Sequence, residues 1–376
     1  MTPEQYLQIN DLWDLERLKK HAQDTFVYVI ESVRFPGLVM LHYVDACQYN
    51  NIWTPFARLS RGLILDMKNQ KVLAYPFDKF FNLGQVAETK YTVLEGLKEF
   101  QTSEKLDGSM IIMFKDPNTN KLTLTTKGSF DSEHGAYANA LPFSSQFLVN
   151  AERYTNRGTL VFELIAKPFQ IVVDYRIKGY KEGLYLIGYR DHITGKLATF
   201  NEVAKIAGML GVSTFKTYSF DSLDKLIATV KDLPVLEEGF VLRYPNDLMV
   251  KVKGEAYLAA HRFISHLSDR HILEAVGEGT AAALAELAPE EYKQDVLDKI
   301  VLFEKRVAEI NDICYTLYSG APKDGPRKDF ALWVIGNAPP HLKGFLFQLM
   351  DHKALDKKHV CRVIEEIDNV DGKTRI

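Results

Sequence analysis

Cysteine is scarce. The three in 376 residues, Cys47, Cys314 and Cys361, stand far apart and are odd in number. That excludes a disulfide framework and a cysteine-built zinc site, and it points to a reducing compartment. No apolar run approaches the ~18 residues of a membrane span, so no membrane role is expected. The first twenty residues are polar and mixed in charge, unlike a signal peptide. Neither sign of charge dominates, since the formal net charge is −3. A nucleic-acid partner would therefore have to be met by local positive charge. Internal repeats and low-complexity segments are also missing. With 46% hydrophobic and 25% charged residues, the composition is that of a globular protein of two or three domains.

Two textures divide the chain. Up to about residue 254, short strand patterns dominate. A helical stripe at Leu12, Leu15 and Leu18 precedes strands at Phe26–Ile30 and Leu38–Tyr43. Hairpins follow at Arg58–Asp66 with Lys71–Pro76, Arg61 standing just before the first strand, and at Met110–Phe114 with Leu122–Thr126. Further strands are expected at Gly158–Ile165, Leu184–Tyr189, Glu237–Arg243 and Leu248–Lys253. Helices are expected at Asn201–Leu210, with Asn201 as N-cap and Gly211 as terminator, and at Asp221–Lys231. From about 255 the strand patterns stop. Val296, Ile300, Phe303, Val307, Ile310, Cys314 and Leu317 recur at steps of four and three, which predicts a long amphipathic helix. Helical stretches at Leu267–Val276, Phe330–Ile335, Leu342–Met350 and Lys358–Ile367 surround it. The expected division is therefore 1–254, a mixed α+β domain with antiparallel sheets, and 255–376, all helical and carrying more acidic than basic residues.

The first domain is organised around Glu104-Lys105-Leu106-Asp107-Gly108-Ser109. A lysine amine attacks phosphorus only when neutral, and an ordinary lysine near pKa ~10.4 is almost fully charged at pH 7. A nucleophilic Lys105 therefore calls for a depressed pKa, by burial or neighbouring cations. Asp107-Gly108 reads as a tight turn presenting it, although Asp-Gly after a lysine is also an ordinary hairpin turn. Glu163 and Glu238 are carboxylates inside apolar strand patterns. Each needs a lysine, a metal or a hydroxyl partner. Lys251 and Lys253 share one strand face, suited to phosphates or simply to solvent. Lys79 is flanked by Phe77, Phe80 and Phe81, which is unusual for a solvated lysine.

In order, the chain offers Ser60-Arg61-Gly62, Lys79-Phe80-Phe81-Asn82, Lys105-x-Asp107-Gly108, Lys127-Gly128, Phe162-Glu163, Glu238-Gly239-Phe240-Val241 and Val250-Lys251-Val252-Lys253. This series resembles the covalent nucleotidyltransferase superfamily, and within it the RNA ligase 1 family of T-even phages. The resemblance covers roughly residues 38–262. It implies an adenylyltransferase domain followed by a helical domain that helps select the RNA, with no OB-fold. It implies ATP as cosubstrate, with AMP passing covalently through Lys105, and Mg²⁺ or Mn²⁺ as metal. It also implies RNA 3′-hydroxyl and 5′-phosphate ends as substrates, with a nicked tRNA anticodon loop as an example, and repair in the host cytoplasm as a monomer without a protein partner. Catalytic roles fall on Lys105, Asp107, Glu163, Glu238, Lys251 and Lys253. Nucleotide contacts fall on these residues except Asp107, and on Tyr43, Arg61, Lys79, Phe81, Glu104 and Lys127. Asp107, Glu163 and Glu238 would face the metal through water. Phe81 would stack on adenine, or else be core. Tyr257 and His261 follow as RNA contacts or domain-joint packing. The stretch Gly279-Thr280-Ala281 lacks acids that some relatives carry, so no metal ligand is expected there. The competing readings are a DNA ligase, a capping guanylyltransferase, or a non-catalytic RNA-binding protein on a ligase scaffold.

Overall fold

A computed structural model describes residues 2–370, apart from 267, 287 and 289. The chain packs as two units, one ending at Leu258 and the other starting at Ala259. The first is mixed α and β. Strands β1 (Val27–Glu31), β2 (Leu38–Tyr43), β3 (Arg61–Asp66) and β4 (Lys71–Ala74) form an antiparallel sheet in that order. The chain continues through β5 (Phe81–Asn82), β6 (Gln101–Glu104), β7 (Ser109–Lys115), β8 (Leu122–Thr126), β9 (Gly158–Ile165), β10 (Gly183–Asp191), β11 (Ser213–Thr214), β12 (Thr217–Tyr218), β13 (Gly239–Arg243) and β14 (Met249–Lys253). These build two five-stranded sheets, ordered β11-β10-β9-β7-β8 and β12-β6-β13-β14-β5. Their pairings are antiparallel except β10 with β11 and β14 with β5.

Strand alternation decides which side chains meet. On β2, Leu38 and Met40 join Ile64, Ile112 and Phe114 in a core between the first two sheets. Val39 and Leu41 point the other way, onto Leu7, Leu18 and Ala22 of the N-terminal helices. In the third sheet, Phe240, Leu242, Val250 and Val252 pack on Leu223, Leu226 and Val230 of the helix Leu223–Lys231.

Local chemistry adjusts several expected boundaries. The N-terminal stripe is two helices, Pro3–Ile9 and Leu15–Asp24, each opened by its own cap, Thr2 and Asp14. The helix Phe200–Leu210 begins at a Thr199 capping box with Glu202, so Asn201 lies inside it; Gly211 ends it in the left-handed conformation. The next helix starts at Leu223, two residues later than expected, with Ser222 as its cap. Helices at Asp45–Asn50, Pro55–Leu59, Tyr91–Glu95, Glu133–Ala140 and Ser145–Thr155 have no counterpart in the pattern reading.

In the second unit no strand occurs among the described residues. The long helix runs Glu290–Gly320 and buries Val296, Ile300, Phe303, Val307 and Cys314 against Phe330, Val334, Phe345, Leu346 and Ile364. Its neighbours are Asp269–Glu278, Arg327–Asn337, Lys343–His352 and Lys357–Val370. The expected start of one helix at residue 267 lies outside the described residues. All three cysteines are buried free thiols.

Candidate active site

Lys105 stands where the chain leaves one five-stranded sheet for the other. β6 pairs with β13 so that Glu104 faces Phe240, and the Lys105 N–H donates to the Gly239 carbonyl at 2.8 Å. That register places Lys105 beside Glu238. β14 pairs with β13 so that Lys253 faces Gly239, which brings a second lysine to the same carboxylate. Lys105 Nζ donates to Glu238 Oε2 at 2.6 Å, and Lys253 Nζ lies 2.8 Å from Oε1. Past Gly108 the chain enters β7, which pairs with β9 so that Met110 faces Glu163. Two sheets thus deliver Lys105, Glu163, Glu238 and Lys253 to one point.

Burial pushes the Lys105 amine down, but Glu238, Glu163 and Asp107 together outweigh it and hold the pKa above the ordinary lysine value. The depression expected from burial or neighbouring cations is therefore not what the structure shows, because Glu238 is bonded to the amine. Glu238 moves the other way: burial opposes its charge, yet the two lysines hold it below the usual carboxylate range. Glu163 is pushed up to about 7 by burial, with Lys105 pulling down and Glu238 pushing up.

Asp107 is engaged on every side. Its Oδ2 accepts from the Val172 and Val173 N–H groups at 2.9 Å each, and its Oδ1 from Tyr257 at 2.9 Å. Its own N–H donates to the Tyr175 hydroxyl. The metal-facing role expected of Asp107 is therefore revised to that of a brace. Among the described residues, no group of three or more His, Cys, Asp or Glu side chains is placed to hold a metal directly. A hydrated divalent cation fits better. Glu163 is a desolvated carboxylate in the cavity wall, and Mg²⁺ keeps most of its waters and uses few carboxylates.

The glycine of this turn is required by space. It does not adopt a positive φ; a Cβ there would lie 2.5 Å from the Leu164 carbonyl oxygen and 3.0 Å from Glu163 Cγ. At Gly239 both reasons apply, with φ +132° and a Cβ 2.1 Å from the Val252 carbonyl oxygen. Gly108→Ala is expected to cost about 1–3 kcal/mol, because the obstacle is backbone, and to displace Glu163 from Lys105. A thermal melt beside a nucleotide-labelling assay checks both effects.

Lys105 opens on a cavity of about 460 Å³ that Arg61, Phe80, Glu104, Lys127, Glu163 and Lys251 also line. Burial, then Arg61, lowers Lys127 to about 8, and burial with Arg61, Lys105, Lys79 and Lys253 takes Lys251 well below its ordinary value. These cations repel one another, so the cavity favours a polyanion. The Glu104 carboxylate is occupied from behind, accepting from Tyr180 Oη at 2.7 Å and from the Lys216 N–H at 3.0 Å.

Lys79 lies in an aromatic box, its Nζ 4.6 Å from the Trp53 ring centroid, 5.2 Å from Tyr43 and 5.6 Å from Phe81. Gln48 accepts its proton at 2.5 Å. Burial, then Arg61, lowers its pKa to about 8. Phe81 is a wall of that box, edge-on to Trp53 at 5.1 Å, and is not presented for adenine stacking. Its neighbour Phe80 lines the cavity, with Lys251 Nζ at 4.5 Å and the Arg61 guanidinium at 5.4 Å from its ring. Phe80→Ala is expected to weaken ligand binding in the cavity about tenfold with little change in Tm, whereas Phe81→Ala costs about 3–5 kcal/mol. Paired binding titrations and melts separate the two.

Phe80 entered the sequence reading only as a flank of Lys79, and pattern reasoning missed Tyr175, Tyr180, Trp53 and Gln48. None carries a local signal, since each matters only through a partner far along the chain. His261 falls in the second unit.

Residues 59–257, more than half of the chain, match the family model described as RNA ligase. The chain is 31% identical over 224 residues to a protein of Thermovibrio ammonificans inferred to be an RNA ligase, a match covering 57% of this chain and 56% of that one. It is 26% identical over 263 residues to an inferred bifunctional polynucleotide kinase/RNA ligase of Autographa californica nuclear polyhedrosis virus, covering 65% and 36%. The chain thus spans about half the length, or less, of these curated relatives. Among solved structures, an archaeal ATP-dependent RNA ligase overlaps 100% of both chains at 11% identity with a TM-score of 0.49. A Naegleria gruberi RNA ligase with PPi overlaps 58% of this chain and 67% of its own at 16% identity, with a TM-score of 0.39. Overlaps that loose carry no weight for the site. The family match, over the span that holds Arg61 through Tyr257, makes this chain a member of the RNA ligase family, of the RNA ligase 1 type of T-even phages.

Proposed function

We propose that this chain is an ATP-dependent RNA ligase working through a covalent lysyl-AMP. The observation that carries this is the Lys105 amine, held by Glu238 at the wall of a cavity lined by Arg61, Lys127 and Lys251. Lys105 attacks the α-phosphorus of ATP and pyrophosphate leaves. AMP then passes to an RNA 5′-phosphate, and a 3′-hydroxyl displaces it to seal the strand. Each step is an in-line displacement, so the protein contributes positioning and charge.

Lys105 is charged in the free protein and must lose its proton before attack. Glu163, titrating near 7, is suited to accept it near neutral pH. Arg61, Lys79, Lys127, Lys251 and Lys253 neutralise the phosphates. A divalent cation, held through water by Glu163 and Glu238, would supply further charge at the α-phosphate. Phe80 offers a ring to the nucleotide. In this reading residues 1–254 activate the nucleotide and residues 255–376 help select the RNA, with tRNA ends as one target, and the protein works as a cytoplasmic monomer.

The test uses protein freed of AMP, α-labelled ATP or GTP, and Mg²⁺, followed by a denaturing gel. Label from ATP and not GTP, chased onto 5′-phosphorylated RNA, is the expected result. Label from GTP would turn the reading to a capping-type enzyme, and no label would make it a binding scaffold.

A further inference from the structure

His42 has no task in the reaction above, yet it lies directly behind the cavity wall, next to Arg61 and Gly128. Leu38 and Met40 point from β2 into the core shared with Ile112 and Phe114, and His42 is the next residue on that face. At this point the core gives way to charge. β2 pairs with β3 so that His42 faces Arg61 across a bulge that passes over Gly62. The end of β8 approaches from the second sheet: a Cβ on Gly128 would lie 3.8 Å from His42 Cδ2, and one on Gly62 would lie 2.9 Å from Lys127 Cα. Arg61, Lys127 and Gly128 all line the cavity. The imidazole rests on Tyr43, with ring centroids 4.4 Å apart.

The chemistry of this placement is unusual. His42 Nδ1 is buried without a hydrogen-bond partner, which leaves a desolvated polar group unsatisfied. The charges facing the ring are all positive: Lys127 beyond β8, Arg61 on β3 and Lys79 ahead of β5. Burial and these three cations push its pKa down to about 3, so it is neutral in the free protein. A neutral ring with an unpaired nitrogen, facing three cations, is poorly satisfied until an anion reaches them.

We propose that His42 is a further phosphate-contacting residue of the nucleotide cavity: when the polyphosphate of ATP, or pyrophosphate, lies among Arg61, Lys79 and Lys127, the imidazole takes a proton from solvent and donates a charge-assisted hydrogen bond to a phosphate oxygen. The anion reverses the local field, so the charged ring becomes the favoured form. This rests on the ligase reading, because it needs a polyphosphate in this cavity. The proton taken up on binding makes affinity rise as pH falls. Lys79 and Lys127, titrating near 8, are already charged below pH 7 and add little there.

The probe is Mg²⁺ with inorganic pyrophosphate, titrated into the full chain freed of AMP. Calorimetry at pH 6.0 in two buffers of different ionisation enthalpy counts the protons taken up. Wild type is expected to take up at least about 0.5 proton more than His42→Gln, and to bind about tenfold more tightly at pH 6.0 but less than about threefold more tightly at pH 8.5. The ligand's own titration cancels in that ratio. Equal uptake, or a ratio flat in pH, overturns the proposal. If the variant does not fold, histidine-selective ¹³C labelling of wild type decides. Pyrophosphate must move one imidazole to its charged shift at pH 6.0, and that signal must persist in His134→Gln, which removes the histidine that lines the cavity. No such signal overturns the proposal too. Protein that takes up the proton but never accepts label from ATP would undo the role of Lys105 and leave His42 standing.

Discussion

Lys105→Ala is expected to abolish the covalent nucleotide label and to lower strand joining by about 10³-fold or more, the scale of a lost nucleophile. The fold should survive. Glu238 keeps Lys253 at 2.8 Å, so the deletion does not strand a buried carboxylate. The dependence on pH distinguishes a lost amine from a damaged protein. Lys105 is held above its ordinary pKa, so its contribution to stability is complete below the unfolded value and disappears only as pH rises through the folded one. The difference in Tm between wild type and variant should therefore be flat from pH 5 to 6, below the range where Glu163, which Lys105 pulls down, titrates. Supplying pre-adenylylated RNA bypasses the missing step, and sealing by the variant on that substrate should return substantially. Residual label in the variant, mapped to another lysine, would move the nucleophile elsewhere.

Glu163→Gln is expected to make the protein more stable and nearly inactive. Burial lifts this carboxyl to about 7, above its value in the unfolded chain. The folded state therefore binds the proton more tightly, and wild type loses stability as pH rises from the unfolded pKa through the folded one. At pH 8 the cost is about 3 kcal/mol, from roughly two and a half units at 1.36 kcal/mol each. Glutamine carries no such cost. The variant should match wild type near pH 4.5 and melt roughly 6–12 °C higher at pH 8, at 2–4 °C per kcal/mol for a unit of this size. Activity should fall because, in the proposed reaction, this carboxylate would receive the Lys105 proton and face the hydrated cation. Calorimetric melts at the two pH values check this. A variant less stable at pH 8 would mean that the ionised carboxylate is net favourable where it lies.

Much of this site was legible from the chain because its parts are short and ordered. Glu163, Glu238, Lys251 and Lys253 each lie in or beside a strand marked by its apolar residues, Lys105 lies four residues ahead of another, and β14 puts both of its lysines on one face. The long helix Glu290–Gly320 was legible for the same reason, since its buried residues repeat at helical spacing. β6 was not. Gln101-Thr102-Ser103-Glu104 has no apolar pattern, and it is a strand only because β12 and β13 pair with it on either side. Yet β6 is the strand that sets Lys105 against Glu238.

Residue order and strand periodicity therefore specified which lysines and carboxylates belong to the strands of the candidate site, because these charged groups stand out within local apolar patterns. Their charge states and facing were decided by tertiary packing. Glu238 is bonded to Lys105, so the amine is charged. Two backbone amides and Tyr257 occupy Asp107. Phe81 closes a box around Lys79, while Phe80 opens on the cavity. Each outcome depends on distances between residues remote in sequence, and Coulomb energy and desolvation vary steeply with those distances.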